Sequence, residues 1–157
     1  MKISHLFALT IVAATLCALP LRAEEHEKKI KRTDLPPAVE KTVAAQSQGA
    51  TIKGFNQVEE DGKTNYEAEM TVNGHSKDVL IDPTGSIVEI EEQVEFASLP
   101  AAVQSGLQAK AGAGKLGKVE SLTKHDKIVA YEAKVTNNGK RSEVQVGPDG
   151  KPLDHEE

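Results

Sequence analysis

The sequence predicts an α+β protein of two tandem repeats, each one helix packed on a four-stranded antiparallel sheet. Three observations predict it. The chain repeats itself: Leu35-Pro36-Pro37-Ala38-Val39 returns as Leu99-Pro100-Ala101-Ala102-Val103, and Tyr66-Glu67-Ala68 returns as Tyr131-Glu132-Ala133. Each copy opens with apolar residues at helical spacing and continues with strand-like alternation. Each also carries an Asn-Gly step and a Pro-x-Gly turn, the punctuation of hairpins. The offset is 64 residues up to Val58 and Leu122 and 65 beyond them. The extra residue falls between Glu59-Glu60-Asp61-Gly62 and Thr123-Lys124-His125-Asp126-Lys127, where a hairpin loop is expected to absorb it.

Residues 1–23 have the layout of a secretory signal peptide. Lys2 precedes an apolar run from Ile3 to Leu19, and Pro20-Leu21-Arg22-Ala23 closes it, with cleavage expected after Ala23. Pro20 and Arg22 end the run too early for a comfortable membrane span. Leucine at position 16 disfavours lipid attachment at Cys17, which leaves with the signal. The mature chain then has no thiol for a disulfide, catalysis or zinc. Losing Lys2 and Arg22 leaves 17 basic against 24 acidic residues, a formal charge of −7. That balance argues against nucleic acid or an anionic membrane as partner. A soluble periplasmic or secreted product with no membrane insertion is expected.

Residues 24–34, rich in Lys28, Lys29, Lys31 and Arg32, form a polar leader expected to be solvated. Repeat 1 spans 35–94. Asp34 is placed to cap a helix that Pro36 and Pro37 open, with Val39 and Val43 on one face and Gly49 as its stop. Thr51 to Glu60 reads as a strand with a bulge near Gly54. In Asn65 to Val72, Tyr66, Ala68, Met70 and Val72 alternate inward against outward Asn65, Glu67, Glu69 and Thr71. Lys77 to Asp82 and Ser86 to Glu92 complete the copy.

Repeat 2 spans 95–157. Its helix, Leu99 to Lys110, puts Val103 and Leu107 on one face. Leu116 to Thr123, Ile128 to Thr136, Arg141 to Val146 and Lys151 to Leu153 are its strands, the last weakened by Pro152 and the polar Asp154-His155-Glu156-Glu157. Between the copies, Val94 and Phe96 are expected to fill a seam. Units of about 60 residues are marginal alone, so the copies are expected to support one another.

With its Leu-Pro opening, Tyr-Glu-Ala strand and Pro-x-Gly turn, each copy resembles the PepSY-like family. The tandem pair behind a signal peptide resembles exported proteins related in fold to β-lactamase inhibitory protein. The resemblance implies non-catalytic binding, in which the open sheet face meets an envelope or secreted protein such as a peptidase, as inhibitor or modulator. Alternation puts Asn65, Glu67, Glu69, Thr71, Glu132, Lys134 and Thr136 on that open face, and they are the expected partner-binding residues. That face lacks the Trp, Tyr and Arg anchors of tight interfaces, since Phe55, Tyr66, Phe96 and Tyr131 are all placed in or near the core.

No serine sits in a recognisable nucleophile turn, and the outward acids are expected to be solvated and ordinary, so no catalytic residue is assigned. Asp82-Pro83-Thr84-Gly85 lacks the ligand series of a calcium loop and reads as a turn. His75 with Asp78 and His125 with Asp126 read as hairpin-tip residues. Cleavage after Ala23 leaves Glu24-Glu25-His26 at the amino terminus, and a third-position histidine can complete a square-planar four-nitrogen set. This gives an alternative function, Cu(II) or Ni(II) binding through Glu24, Glu25 and His26.

Overall fold

The computed structural model describes residues 26–60, 62–155 and 157. The signal peptide read at 1–23, and Glu24 and Glu25, lie outside the described residues.

The first helix, α1 (Pro37–Gln46), begins behind Pro36, and proline in its first turn forgoes only an N–H that has no intrahelical acceptor. Val39 and Val43, one turn apart, are fully buried. The second helix, α2 (Ala101–Ala111), repeats the plan with Val103 and Leu107 and ends where the Gly112 N–H donates to the Gln108 carbonyl at 3.1 Å. Asp34 does not cap α1. It closes a separate 3-10 turn over Arg32–Asp34, where its carboxylate accepts the Lys31 N–H at 3.0 Å.

Eight strands follow the chain: β1 (His26–Lys29), β2 (Thr51–Glu60), β3 (Lys63–Val72), β4 (His75–Ile81), β5 (Ile87–Val94), β6 (Lys115–Lys124), β7 (Lys127–Asn137) and β8 (Lys140–Val146). They form one antiparallel sheet in sequence order. Two separate units of one helix on four strands are therefore not what the chain builds. Three findings overturn that expectation. Part of the supposed leader is strand β1, β5 pairs with β6 as well as β4, and Lys151–Leu153 forms no strand.

The pairing registers show why. His26↔Glu59, Glu27↔Val58, Lys28↔Gln57 and Lys29↔Asn56 join β1 to β2, and Ile90↔Thr123, Glu91↔Leu122, Glu92↔Ser121 and Gln93↔Glu120 join β5 to β6. Every paired position of the first set has its counterpart in the second 64 positions later. β1 thus stands to the first copy as β5 stands to the second. The structural period is strand, 3-10 turn, helix and three strands, and it runs without a break into one sheet.

The length difference between the copies also lies elsewhere than expected. Val58 pairs with Asn65 and Glu59 with Thr64, whereas Leu122 pairs with Ala130 and Thr123 with Ile128. The extra residue is Val129, held in a bulge of β7, since the flanking pairs Glu60↔Lys63 and Lys124↔Lys127 match in the two copies. A strand tolerates this because a bulge restores the inward alternation beyond it. The bulge expected near Gly54 is present, as a register shift between Ile52 and Gly54, and a matching shift falls between Leu116 and Val119.

Both helices lie on one face of the sheet over two clusters. Phe55, Ala68, Met70, Val79 and Ile81 pack under α1, and Val119, Tyr131, Ala133 and Val146 pack under α2. Val94 and Phe96 join the second cluster rather than a seam between units. In each copy a turn glycine presses on a helix. Gly85 (φ +88°) lies against the Ala38 carbonyl and Gly150 (φ +78°) against that of Ala102, so neither has room for a Cβ. The Thr42 hydroxyl fastens the first contact by donating to the Gly85 carbonyl at 2.6 Å. Among the described residues no helix is long and apolar enough to cross a membrane.

Candidate functional site

Because side chains alternate along a strand, the residues between the core positions share the face away from the helices. Antiparallel partners put them side by side: Asn56↔Glu67, Glu69↔Asp78, Asp78↔Glu91, Glu120↔Glu132 and Glu132↔Gln145. Carboxylates thus cross the sheet from β3 to β7 in an almost continuous belt.

At one end, the Asn56 amide, 3% exposed, donates to Glu67 at 2.6 Å and to Glu69 at 3.0 Å. At the centre, Asp78, Glu91 and Glu120 bring carboxylate oxygens within 4.8 Å of one another. Glu120 is buried at 2% exposure, paired with Lys118 at 2.6 Å, and accepts the Ser76 hydroxyl at 3.1 Å. At the other end, the Gln145 amide donates to Glu132 at 2.9 Å, and Lys134 pairs with Glu143 at 3.1 Å. Lys124 lies 3.1 Å from Glu89 and 3.3 Å from Glu157.

Crowding sets the electrostatics. Burial pushes Glu67 up to about 7; the Asn56 amide opposes the shift, and the charges of Asp78, Glu27 and Glu69 add to it. Burial likewise pushes Asp78 up to about 6, with Glu120 adding and Lys118 opposing. Glu91 is raised further, first by burial and then by Glu89, Glu120 and Glu132. Glu132 is raised by burial against the pull of the Gln145 amide. The outward acids are therefore not the solvated, ordinary groups expected of an alternating strand. One continuous sheet lays acids of adjacent strands against each other, and each takes water from its neighbour.

Of the sequence-predicted face, Glu67, Glu69, Glu132 and Lys134 belong to the belt. Asn65 is 8% exposed opposite Val58, and Thr71 and Thr136 lie toward the hairpin ends of β3 and β7. Asn56, Asp78, Glu91 and Glu120 were missed. A signal for them existed, since Glu89 and Glu91 alternate on one strand and Asn56 answers Glu120 across the repeat.

The clustered oxygens of Asp78, Glu91 and Glu120 are of the kind a hard cation takes, although Lys118 already neutralises Glu120. Asp78 stands in this belt rather than at a hairpin tip. His75 opens β4 with Nδ1 buried and without a hydrogen-bond partner. His125 and Asp126 form a two-residue turn with φ of 51° and 60°. The Asp82 carboxylate accepts the N–H groups of Thr84 and Ser86 at 2.8 and 3.0 Å, which makes it a turn residue. His26 opens β1 opposite Glu59, while Glu24 and Glu25, the other members of the four-nitrogen set, lie outside the described residues.

One sheet in sequence order with both helices on one face is a BLIP-like architecture. The chain is similar to a BLIP-like protein from Bacteroides fragilis, at 20% identity and a TM-score of 0.56 over 76% of this chain and 83% of that one. It is similar to a candidate periplasmic protein from Bacteroides eggerthii, at 19% identity and a TM-score of 0.63 over 76% and 86%. It is also similar to a DUF2874 family protein from Bacteroides ovatus, at 18% identity and a TM-score of 0.58 over 76% and 84%. At these identities the likeness establishes the fold alone. No protein-family profile and no curated protein matches the chain.

Proposed function

We propose that this chain is an exported, non-enzymatic binding module that docks a basic surface of an envelope or secreted protein on the open face of its sheet. The belt of carboxylates from Glu67 to Glu132 carries this reading. A face that concentrates negative charge and half-buries it favours a partner bringing lysines or arginines, and opposite charge sets orientation and on-rate more than raw affinity. Few aromatic side chains stand on the face, so reversible capture suits it better than near-permanent inhibition. Similarity to BLIP-like and candidate periplasmic proteins supports an envelope location and a binding task.

The test is cross-linking of the purified protein in the native envelope fraction, identification of the product, and titration of that partner against Glu67→Lys with Glu69→Lys. Affinity is expected to fall at least tenfold and to weaken with salt. A double variant that binds undiminished ends the proposal.

A further inference from the structure

The internal repeat says what each strand's neighbour is, and among the described residues β8 has none on its outer side. In the first copy β4 is followed by the turn at Asp82 to Ser86 and then by β5, which pairs Asp78↔Glu91, Val79↔Ile90 and Leu80↔Glu89. β8 is the counterpart of β4, since Tyr66↔Ile81 and Ala68↔Val79 reappear as Tyr131↔Val146 and Ala133↔Val144. The turn after it is also repeated: the Gly147 N–H donates to the Lys151 carbonyl at 2.8 Å as the Asp82 N–H donates to that of Ser86 at 2.9 Å.

Then the copies part. Ile87 stands opposite Ile81 at the start of β5, and its counterpart is Pro152, which has no N–H to give a ladder. The chain leaves the edge there. The Glu157 N–H donates at 2.9 Å to the side chain of Gln145, and the Glu157 carboxylate turns to Lys124 on the open face. Among the described residues no backbone hydrogen bond joins 152–157 to β8, and β8 is paired on one side only.

We propose that this edge of β8 takes up an extended segment of a partner protein as a ninth strand, in the place β5 holds beside β4. Strand addition of this kind draws affinity from main-chain hydrogen bonds and selectivity from alternate side chains. β5 on β4 is the template for the occupant. The segment runs antiparallel to β8 and sets a branched apolar residue opposite Val144, as Ile90 stands opposite Val79, extending the apolar layer under α2. It sets a basic residue opposite Glu143 and an acidic one near Arg141. A second copy's β1 fits this chemistry poorly, because the same register brings Lys28 and Lys29 against Ser142 and Arg141. This surface is distinct from the open face, so the two proposals stand or fall separately.

The test is titration of 15N-labelled protein with a capped peptide of the β5 sequence, Ile87 to Val94, carrying Glu91→Lys. Amide shifts and slowed hydrogen exchange confined to Ser142–Val146 are expected. They should vanish for a peptide that also carries Ile90→Pro, and affinity should fall about tenfold for the protein variant Val144→Lys. The folded state of Val144→Lys is checked from the unchanged spectrum of β2 to β5. Shifts centred on the carboxylate belt, no response at millimolar peptide, or self-association through β8 in sedimentation would each overturn the proposal.

Discussion

Asn56 and Glu120 occupy the same place in the two copies and do opposite things there. Asn56 offers an amide to two carboxylates, Glu67 and Glu69. Glu120 adds a further negative charge beside Glu132 and is neutralised by Lys118. Asn56→Ala is accordingly expected to cost about 1–3 kcal/mol in urea unfolding, because two half-buried carboxylates lose their donor. It should also move the Glu67 titration further up, since the amide now holds it down; a carboxyl 13C titration in which Glu67 stays in place would refute this. The repeat offset alone was enough to align Asn56 with Glu120. It could not show that either side chain is buried, because burial depends on the neighbours that strand pairing supplies.

Turns and bulges decide how each element meets the next. Gly150→Ala forces a Cβ toward the α2 backbone at positive φ, with an expected cost of at least about 2 kcal/mol and a visible fall in melting temperature. Deleting Val129 removes the bulge that distinguishes β7 from β3, and the variant is expected to fold with Tyr131 still under α2. Deleting Lys134 instead throws Val135 to the wrong face, with an expected cost above about 2 kcal/mol. Near-equal stabilities for the two deletions would show that the bulge does not carry the length difference. Helix starts, hairpins and the Gly54 bulge were legible because each rests on local chemistry. Strand β1 was not, because His26-Glu27-Lys28-Lys29 is polar throughout and becomes a strand only by pairing with β2.

The whole sheet stores the strain of its acids as a dependence on pH. Glu67 and Asp78 titrate higher in the fold, at about 7 and about 6, than their ordinary values of 4.5 and 3.8. The folded state therefore holds more protons than the unfolded chain across that interval. Stability from this source is complete below the ordinary values and is lost as pH rises through the folded ones. The melting temperature is expected to fall between about pH 4 and about pH 7, and Glu67→Gln with Asp78→Asn should flatten the fall. A melting temperature that rises over that range would contradict the burial of the belt. A cationic partner of the kind proposed for the open face would relieve the same repulsion and would compete with the proton for these carboxylates.

The sequence by itself determined the duplication, the two helices with their buried valines and leucines, most of the strands, and which residues of each strand face together. These follow from short-range rules of period, cap and turn. Only the tertiary structure decided that β5 bridges the copies, that the copies share one sheet, and that its acids meet in a belt. Alternation assigns a residue to a face, but the strand lying alongside is chosen by backbone hydrogen bonds between segments far apart in sequence, and no local pattern records that choice.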